Sequence, residues 1–245
     1  MKLLLLDYDN TIARPQSKPS LKTLQTLALL SQKNYVAVIT GGRSFTELKK
    51  LFVKNLPKEK KALLQNIFLC TEYGNLIYSW DKKWSVLSKA TPLRESEAEK
   101  VRKLIENIPW SKYRIQKSYG RRIRKRISYI SIDCLGMNAP KEIKERWDSN
   151  KKKRESIKEE IQEEIDKKYD IYITGRNTID IIPKGFNKAD CVLRLCRLLN
   201  IDLKECIFFG DEFSKDGNDY PILALGIQHY KVENPAETLK LLNNI

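Results

Sequence analysis

The opening stretch Met1-Lys2-Leu3-Leu4-Leu5-Leu6-Asp7-Tyr8-Asp9-Asn10-Thr11 decides the fold. Met1–Leu6 is an apolar run with a single lysine, and a polar turn bounds it at once. A run of this kind reads as a strand buried on both faces of a parallel sheet. Asp7 and Asp9 then stand at the C-terminal end of that strand, where open α/β sheets hold their ligands. One carboxylate there can attack phosphorus, and its neighbour can exchange a proton with the leaving oxygen. Together they also invite a hard divalent cation such as Mg²⁺. A strand ending in an Asp-rich turn and helix cap is the other reading of the same residues.

The bulk numbers narrow the class. The chain has 245 residues, 41% of them hydrophobic, enough for one large domain or two smaller ones. A mean hydropathy of −0.50 and the lack of any long apolar run exclude a membrane-spanning helix. The apolar N-terminal stretch is too short for a secretory signal and runs straight into the acidic motif. Cys70, Cys134, Cys191, Cys196 and Cys206 are odd in number and scattered, which fits core thiols in a reducing cytoplasm. None of them has CxxC spacing, and His229 is the only histidine, so a zinc site or a histidine-based triad is poorly supplied. The formal net charge of +15 would draw anions: phosphorylated metabolites, nucleic acid or a membrane surface. A lysine-rich solvated surface has the same composition.

Working outward, Ser20–Lys33 carries leucines at helical spacing behind a Ser20 cap, and Tyr35–Ile39 is a second β-branched strand. That strand ends in Thr40-Gly41-Gly42-Arg43 before a helix through Phe52, a turn that offers backbone N–H groups and a hydroxyl to an anion. Ile67–Cys70 is a third strand. Strand alternating with helix is the grammar of a doubly wound, Rossmann-like parallel sheet. From about Trp80 the grammar changes to a polar helix (Glu95–Asn107), alternating segments such as Ile127–Ile132, and a charged helix (Lys141–Lys168). Ile171–Thr174 and Thr178–Ile182 follow, and the whole reads as an inserted α+β module with an antiparallel sheet. Inside it Arg122, Arg124 and Arg126 would share one face of an extended strand, either to grip an anion or as a solvated, charge-guarded edge. Past Pro183 the parallel grammar returns. Asn187-Lys188-Ala189-Asp190 opens a helix, Cys206–Phe209 is a buried strand leading to Gly210-Asp211, and Gly226–His229 is a last short strand before a final helix. The expected domains are therefore 1–80 with 184–245, and 81–183.

Three strand ends thus present complementary chemistry: Asp7 with Asp9, then Thr40, then Asp211 with Asn218 and Asp219, while Lys188 opens a helix aimed at the same point. Acidic residues suit a metal, and Lys and Thr suit phosphoryl oxygens. That division of labour is what phosphoryl transfer requires. In these motifs the chain resembles the haloacid dehalogenase (HAD) superfamily, over nearly its whole length. The inserted module resembles that family's C2-type cap, subfamily IIB. Ile179–Lys188 and Gly210–Asp219 are similar to eukaryotic-type phosphomannomutases, as is Arg14-Pro15-Gln16, and the first motif also resembles sugar-phosphate phosphatases.

The resemblance implies roles. Asp7 would be the nucleophile that forms an aspartyl-phosphate, with one carboxylate oxygen on Mg²⁺. Asp9 would be the general acid and base and would lend its backbone carbonyl to Mg²⁺. Thr40, Gly41 and Lys188 would hold the phosphoryl group, and Asp211, supported by Asn218 and Asp219, would complete the metal site. Arg14, Arg122, Arg124, Arg126, Thr178 and Asp180 are candidate substrate contacts. Two departures stand out. Asn10 occupies the place of a usual glycine, which its tolerance of unusual backbone angles allows. Thr40-Gly41-Gly42-Arg43 replaces the mutases' Val-Gly-Gly-Ser and reads like the hydrolases. The expected function is a Mg²⁺-dependent, cytoplasmic phosphatase of a small phosphorylated metabolite, a sugar phosphate by this resemblance, with no membrane partner. A hexose phosphomutase is the alternative. A nucleic-acid-binding protein on a retired phosphatase scaffold is a third reading, resting on the charge and the arginine strand.

Overall fold

A computed structural model describes residues 1–56, 64–89 and 93–245. Met1–Ala90, Phe186–Lys215 and Asp219–Ile245 form one compact unit, and Thr91–Gly185 with Asp216–Asn218 form a second. The first unit is built on a seven-stranded sheet. Its strands are β1 (Leu3–Asp7), β2 (Tyr35–Ile39), β3 (Ile67–Thr71), β4 (Leu76–Asp81), β5 (Lys83–Lys89), β10 (Cys206–Gly210) and β11 (Gln228–Lys231). Their order is β11-β10-β1-β2-β3-β4-β5. The first five in that order run parallel; β4 and β5 are antiparallel.

The leucine run of β1 occupies the centre, and Leu3–Leu6 have no exposed surface. The two-residue alternation of a strand splits them between two layers. Leu4 and Leu6 pack with Val36, Val38, Leu69 and Phe209 beneath α1 (Leu21–Leu30) and α2 (Phe45–Leu51). Leu3 and Leu5 pack with Ala37, Ile39, Phe68 and Phe208 against α6 (Lys188–Leu199), through its Cys191, Val192 and Leu195. Each fully buried leucine contributes about 1.5–3 kcal/mol, which is why no polar residue interrupts the run. Local signals agree: Ser20 caps α1 by accepting from the Thr23 N–H, and Ser44 with Glu47 forms a capping box on α2. All five cysteines are buried and free, four of them in the α6 layer.

The second unit has a four-stranded antiparallel sheet ordered β6-β7-β9-β8, made of β6 (Ile123–Lys125), β7 (Ile130–Asp133), β8 (Tyr169–Thr174) and β9 (Thr178–Pro183). Ile130, Ile132, Ile171, Ile179 and Ile181 form its core with α3 (Glu95–Asn107) and α5 (Lys152–Glu164). The doubly wound sheet and the inserted α+β module expected from the sequence are both present.

Two local readings need correction, and one hairpin was not anticipated. Ile127–Ile132 is not one strand: residues 126–129 turn, and the Arg126 N–H donates to the Tyr129 carbonyl, so strands lie on either side. The charged helix at Lys141–Lys168 is broken into α4 (Lys141–Trp147) and α5, because Asp148 accepts from the Lys153 and Arg154 N–H groups and Lys151 is left-handed at φ 63°. The β4–β5 hairpin turns at Lys82 (φ 58°) and extends the parallel sheet, although no turn signal in the sequence marked it. Among the described residues no helix is long and apolar enough to cross a membrane. The final helix, α7 (Pro235–Leu242), closes the chain as expected.

Candidate active site

Sheet register brings the first unit's motifs together. β1 lies between β10 and β2, with Leu6 opposite Phe209 and Asp7 opposite Ile39. Asp7 therefore leaves the sheet beside Gly210-Asp211 on one side and Thr40 on the other. The backbone after β1 folds back tightly: the Ile12 and Ala13 N–H groups donate to the Tyr8 carbonyl, and the Asn10 N–H donates to the Ala13 carbonyl.

Lys188 enters from α6. Asn187 caps that helix by accepting from the Ala189 and Asp190 N–H groups, and Asp190 accepts in return from the Asn187 N–H. A lysine in a helix's first turn opposes the helix dipole, so helix stability does not account for it. Its side chain has no exposed surface, and Nζ donates to Asp7 Oδ1 at 2.5 Å and to Asp219 Oδ1 at 2.6 Å. Burial works against the ammonium, but Asp219 and Asp7 outweigh it and raise the Lys188 pKa.

Asp7, Asp211 and Asp219 each offer an oxygen, all within 4.8 Å of one another. Burial pushes the Asp7 carboxyl well up; Lys188 pulls it down, while Asp219 and Asp211 push it further up. Burial also pushes Asp211 up to about 6, against a hydrogen bond from Asn10. Three carboxylates thus face one ammonium, and two negative charges are left over. A hard divalent cation matches both that charge and the all-oxygen donor set. Asp7 and Asp211 are the side chains that could hold it. The two oxygens of Asp219 are already engaged, Oδ1 by Lys188 and Oδ2 by the Glu212 N–H at 3.1 Å. Gly210 makes room for that carboxylate, since a Cβ there would stand 2.5 Å from Asp219 Oδ2. Asn218 is half-buried just before it in the same loop.

Asp9 is held by a residue not assigned a role from the sequence. Arg43 Nη2 donates to Asp9 Oδ1 at 2.5 Å and Nε to Oδ2 at 3.2 Å, with the guanidinium 4.6 Å above the Tyr8 ring. Only its place after a Thr-Gly-Gly turn could have drawn attention to it. Thr40 is buried, donates its N–H to the Cys70 carbonyl and accepts from the Tyr73 N–H. Gly41 is buried too, and a Cβ would meet the Tyr73 ring at 3.0 Å. Arg14 is exposed in the turn after β1 and makes no ion pair with these carboxylates among the described residues.

A family model described as haloacid dehalogenase-like hydrolase matches residues 4–242. The chain belongs to the haloacid dehalogenase-like hydrolases. It is 26% identical to phosphomannomutase 2 of Dictyostelium discoideum over 99% of this chain and 95% of that protein. The IMP-nucleotidase of Plasmodium falciparum shares its fold at a TM-score of 0.69 and 19% identity, over 100% of this chain and 68% of the nucleotidase. Trehalose-6-phosphate phosphatase of Aspergillus fumigatus does so at 0.54 and 18%, over 99% and 92%.

In this haloacid dehalogenase-like chain the second unit's named residues fall into separate groups. Arg124 pairs with Asp133 (Nε to Oδ2, 2.7 Å), and Thr178 donates to Asp133 at 3.2 Å. Asp180 is buried and accepts from Thr174 at 3.0 Å. Arg122 donates to the Cys134 carbonyl and lies over the Trp110 ring. The expectation of one arginine face along a strand is corrected here. β6 spans only Ile123–Lys125, so Arg124 alone lies within it, with Arg122 and Arg126 just beyond its ends.

Proposed function

We propose that the chain is a Mg²⁺-dependent phosphatase that hydrolyses a small phosphorylated metabolite, a sugar phosphate being the class favoured by its relatives. The observation that carries this reading is the buried Lys188 ammonium, held between Asp7 and Asp219 at 2.5 and 2.6 Å beside Asp211. It couples a carboxylate able to attack phosphorus to a fixed positive charge able to receive phosphoryl oxygens. Asp7 attacks phosphorus, and the bond from phosphorus to the leaving alcohol breaks as an aspartyl-phosphate forms. Asp9, protonated when substrate binds and still oriented by Arg43, gives that alcohol its proton, then takes one from the water that attacks the same phosphorus and frees Asp7 with inorganic phosphate. Thr40, Gly41 and Lys188 hold the phosphoryl oxygens throughout. Asp7 and Asp211, with the Asp9 backbone carbonyl, would hold the cation, which would supply charge neutralisation on those oxygens. The second unit is the proposed cap, carrying substrate contacts such as Arg124, Thr178 and Asp180.

Release of inorganic phosphate from a panel of phosphate monoesters, with Mg²⁺ and with EDTA, tests the reading. Wild type should act only with Mg²⁺, and Asp7→Asn should be inactive. An Asp7→Asn variant as active as wild type would overturn the role of Asp7.

A phosphomutase is the second reading, favoured by the full-length similarity to phosphomannomutase 2. It requires hexose 1- and 6-phosphates to interconvert with a bisphosphate activator. Net loss of phosphate to water with no isomer formed excludes it. The hydrolase reading is favoured here by Thr40 and Arg43, which stand where the resembling mutases have Val and Ser.

A further inference from the structure

The oxygens of the acidic cluster can be accounted for one by one. Asp7 Oδ1 and Asp219 Oδ1 take the Lys188 ammonium, and Asp219 Oδ2 takes the Glu212 N–H. Asp211 Oδ2 takes the side-chain amide of Asn10, with Nδ2 at 3.0 Å. Asp7 Oδ2 and Asp211 Oδ1 are then the carboxylate oxygens of the cluster with no donor among the described residues.

Asn10 is not free to let go of Asp211 by shifting its backbone. It sits at φ 61°, its N–H donates to the Ala13 carbonyl at 2.7 Å, and Asp9 and Ala13 form a β-bridge around it. The amide is thus delivered from the turn after β1 to the residue after β10 by a fixed scaffold. Glycine, the usual residue here in the resembling motif, adopts the same φ at no steric cost. It would leave Asp211 with both oxygens unoccupied. The side chain, and not the backbone, is what this chain adds.

We propose that Asn10 sets the cation preference of the site, by holding one oxygen of Asp211 so that this carboxylate can offer only a single oxygen to a metal. The inference rests on the metal-dependent reading above. Ca²⁺ takes six to eight oxygens and commonly a bidentate carboxylate, whereas Mg²⁺ takes six, keeps several waters and needs only one or two carboxylates. Two carboxylates limited to one oxygen each suit the smaller, water-rich ion. Asn10 acts through Asp211 and is a positioning residue.

The test measures binding of Mg²⁺ alone and Ca²⁺ alone, by calorimetric titration and by the metal-induced rise in unfolding midpoint, without substrate. Wild type should bind Mg²⁺ more tightly than Ca²⁺. Asn10→Gly, which keeps the backbone angle, should bind Mg²⁺ about tenfold more weakly, the usual scale for losing a partner of a metal ligand. Its Ca²⁺ affinity should hold or rise, so the Mg²⁺:Ca²⁺ preference falls at least tenfold. Asn10→Asp, isosteric but with no N–H to give, should lose the preference as well and serves if the glycine variant folds poorly. An unchanged preference in these variants overturns the proposal. Wild type that binds neither ion overturns the metal-dependent reading itself, which the wild-type arm reveals separately.

Discussion

Arg43 holds Asp9 by both carboxylate oxygens, at 2.5 and 3.2 Å, while its guanidinium rests on the fully buried Tyr8. A carboxylate gripped by a planar fork keeps one orientation, which a lysine's single ammonium cannot impose. Under the proposed reaction, Arg43→Lys should slow turnover of alkyl phosphates, whose leaving oxygen needs a proton from Asp9. The expected loss is about ten- to a hundredfold in kcat/KM, or about 1.5–3 kcal/mol. An aryl phosphate with a good leaving group should lose far less. Parallel kinetics on the two substrate types check this, and equal losses on both would sink it.

Lys188 is the other fixed charge of the site. Replacing it by methionine leaves Asp7 and Asp219 buried against each other with no counter-ion. Breaking such a buried pair costs about 3–5 kcal/mol. Urea unfolding at pH 7 without metal should show a loss of that order for Lys188→Met, and adding Asp219→Asn should restore part of it. Neither variant should turn over phosphate esters. A Lys188→Met protein as stable as wild type would mean that the ammonium is not what balances these carboxylates.

The acidic cluster also gives stability a pH dependence. Burial pushes Asp211 up to about 6, above the ordinary value of 3.8, and pushes Asp7 in the same direction. The folded state therefore binds protons more tightly than the unfolded chain. The stabilisation is complete below about pH 4 and disappears as pH rises through 6. Divalent cations need the ionised form, so their effect has the opposite slope. Calorimetry in EDTA and in Mg²⁺ at pH 5, 6 and 7 should find the Mg²⁺-induced rise in Tm growing with pH. A rise that shrinks with pH would contradict it.

On the second unit's sheet, Arg124 and Arg122 do different things. Arg124→Ala strips the buried Asp133 of its ion pair and leaves it Thr178 alone. An orphaned buried acceptor costs about 1–3 kcal/mol. Arg122→Ala removes a cation lying 4.6 Å over Trp110 and a hydrogen bond to the Cys134 carbonyl, each about 0.5–1 kcal/mol at a part-exposed site. Urea titration of both variants should rank Arg124→Ala as the more destabilised. The reverse order would show that the Asp133 pair is incidental.

Much of this was legible in the sequence because it is written in local patterns. Four leucines followed by Asp-x-Asp specify a central strand and what stands at its end, and Asn187-Lys188-Ala189-Asp190 announces a capped helix. Expectation failed where a long-range partner overrode a local preference. The helix expected through Lys168 breaks because Asp148 turns back to cap α5 and to pair with the buried Arg154. The arginines at 122, 124 and 126 alternate as a strand should, yet Trp110 and Asp133, remote in sequence, decide where two of them point. Arg43 and Asn10 stood within the quoted motifs, but each acts on a carboxylate supplied by another loop, and no spacing rule connects them.

The sheet's order has a consequence for how the chain is made. β1 is synthesised before the other strands of its sheet, and β2 can join one of its edges soon afterwards. Its other edge belongs to β10, which begins only at Cys206. At about 5–20 residues per second, this fully buried strand waits some ten to forty seconds with one row of backbone groups unmatched. Lys188 and Asp211 arrive in the same late segment. Asp7 therefore stays without its counter-ion until Lys188 is made, and a chain cut short at the second unit would carry an unmatched β1 edge and lack Lys188, Asp211 and Asp219.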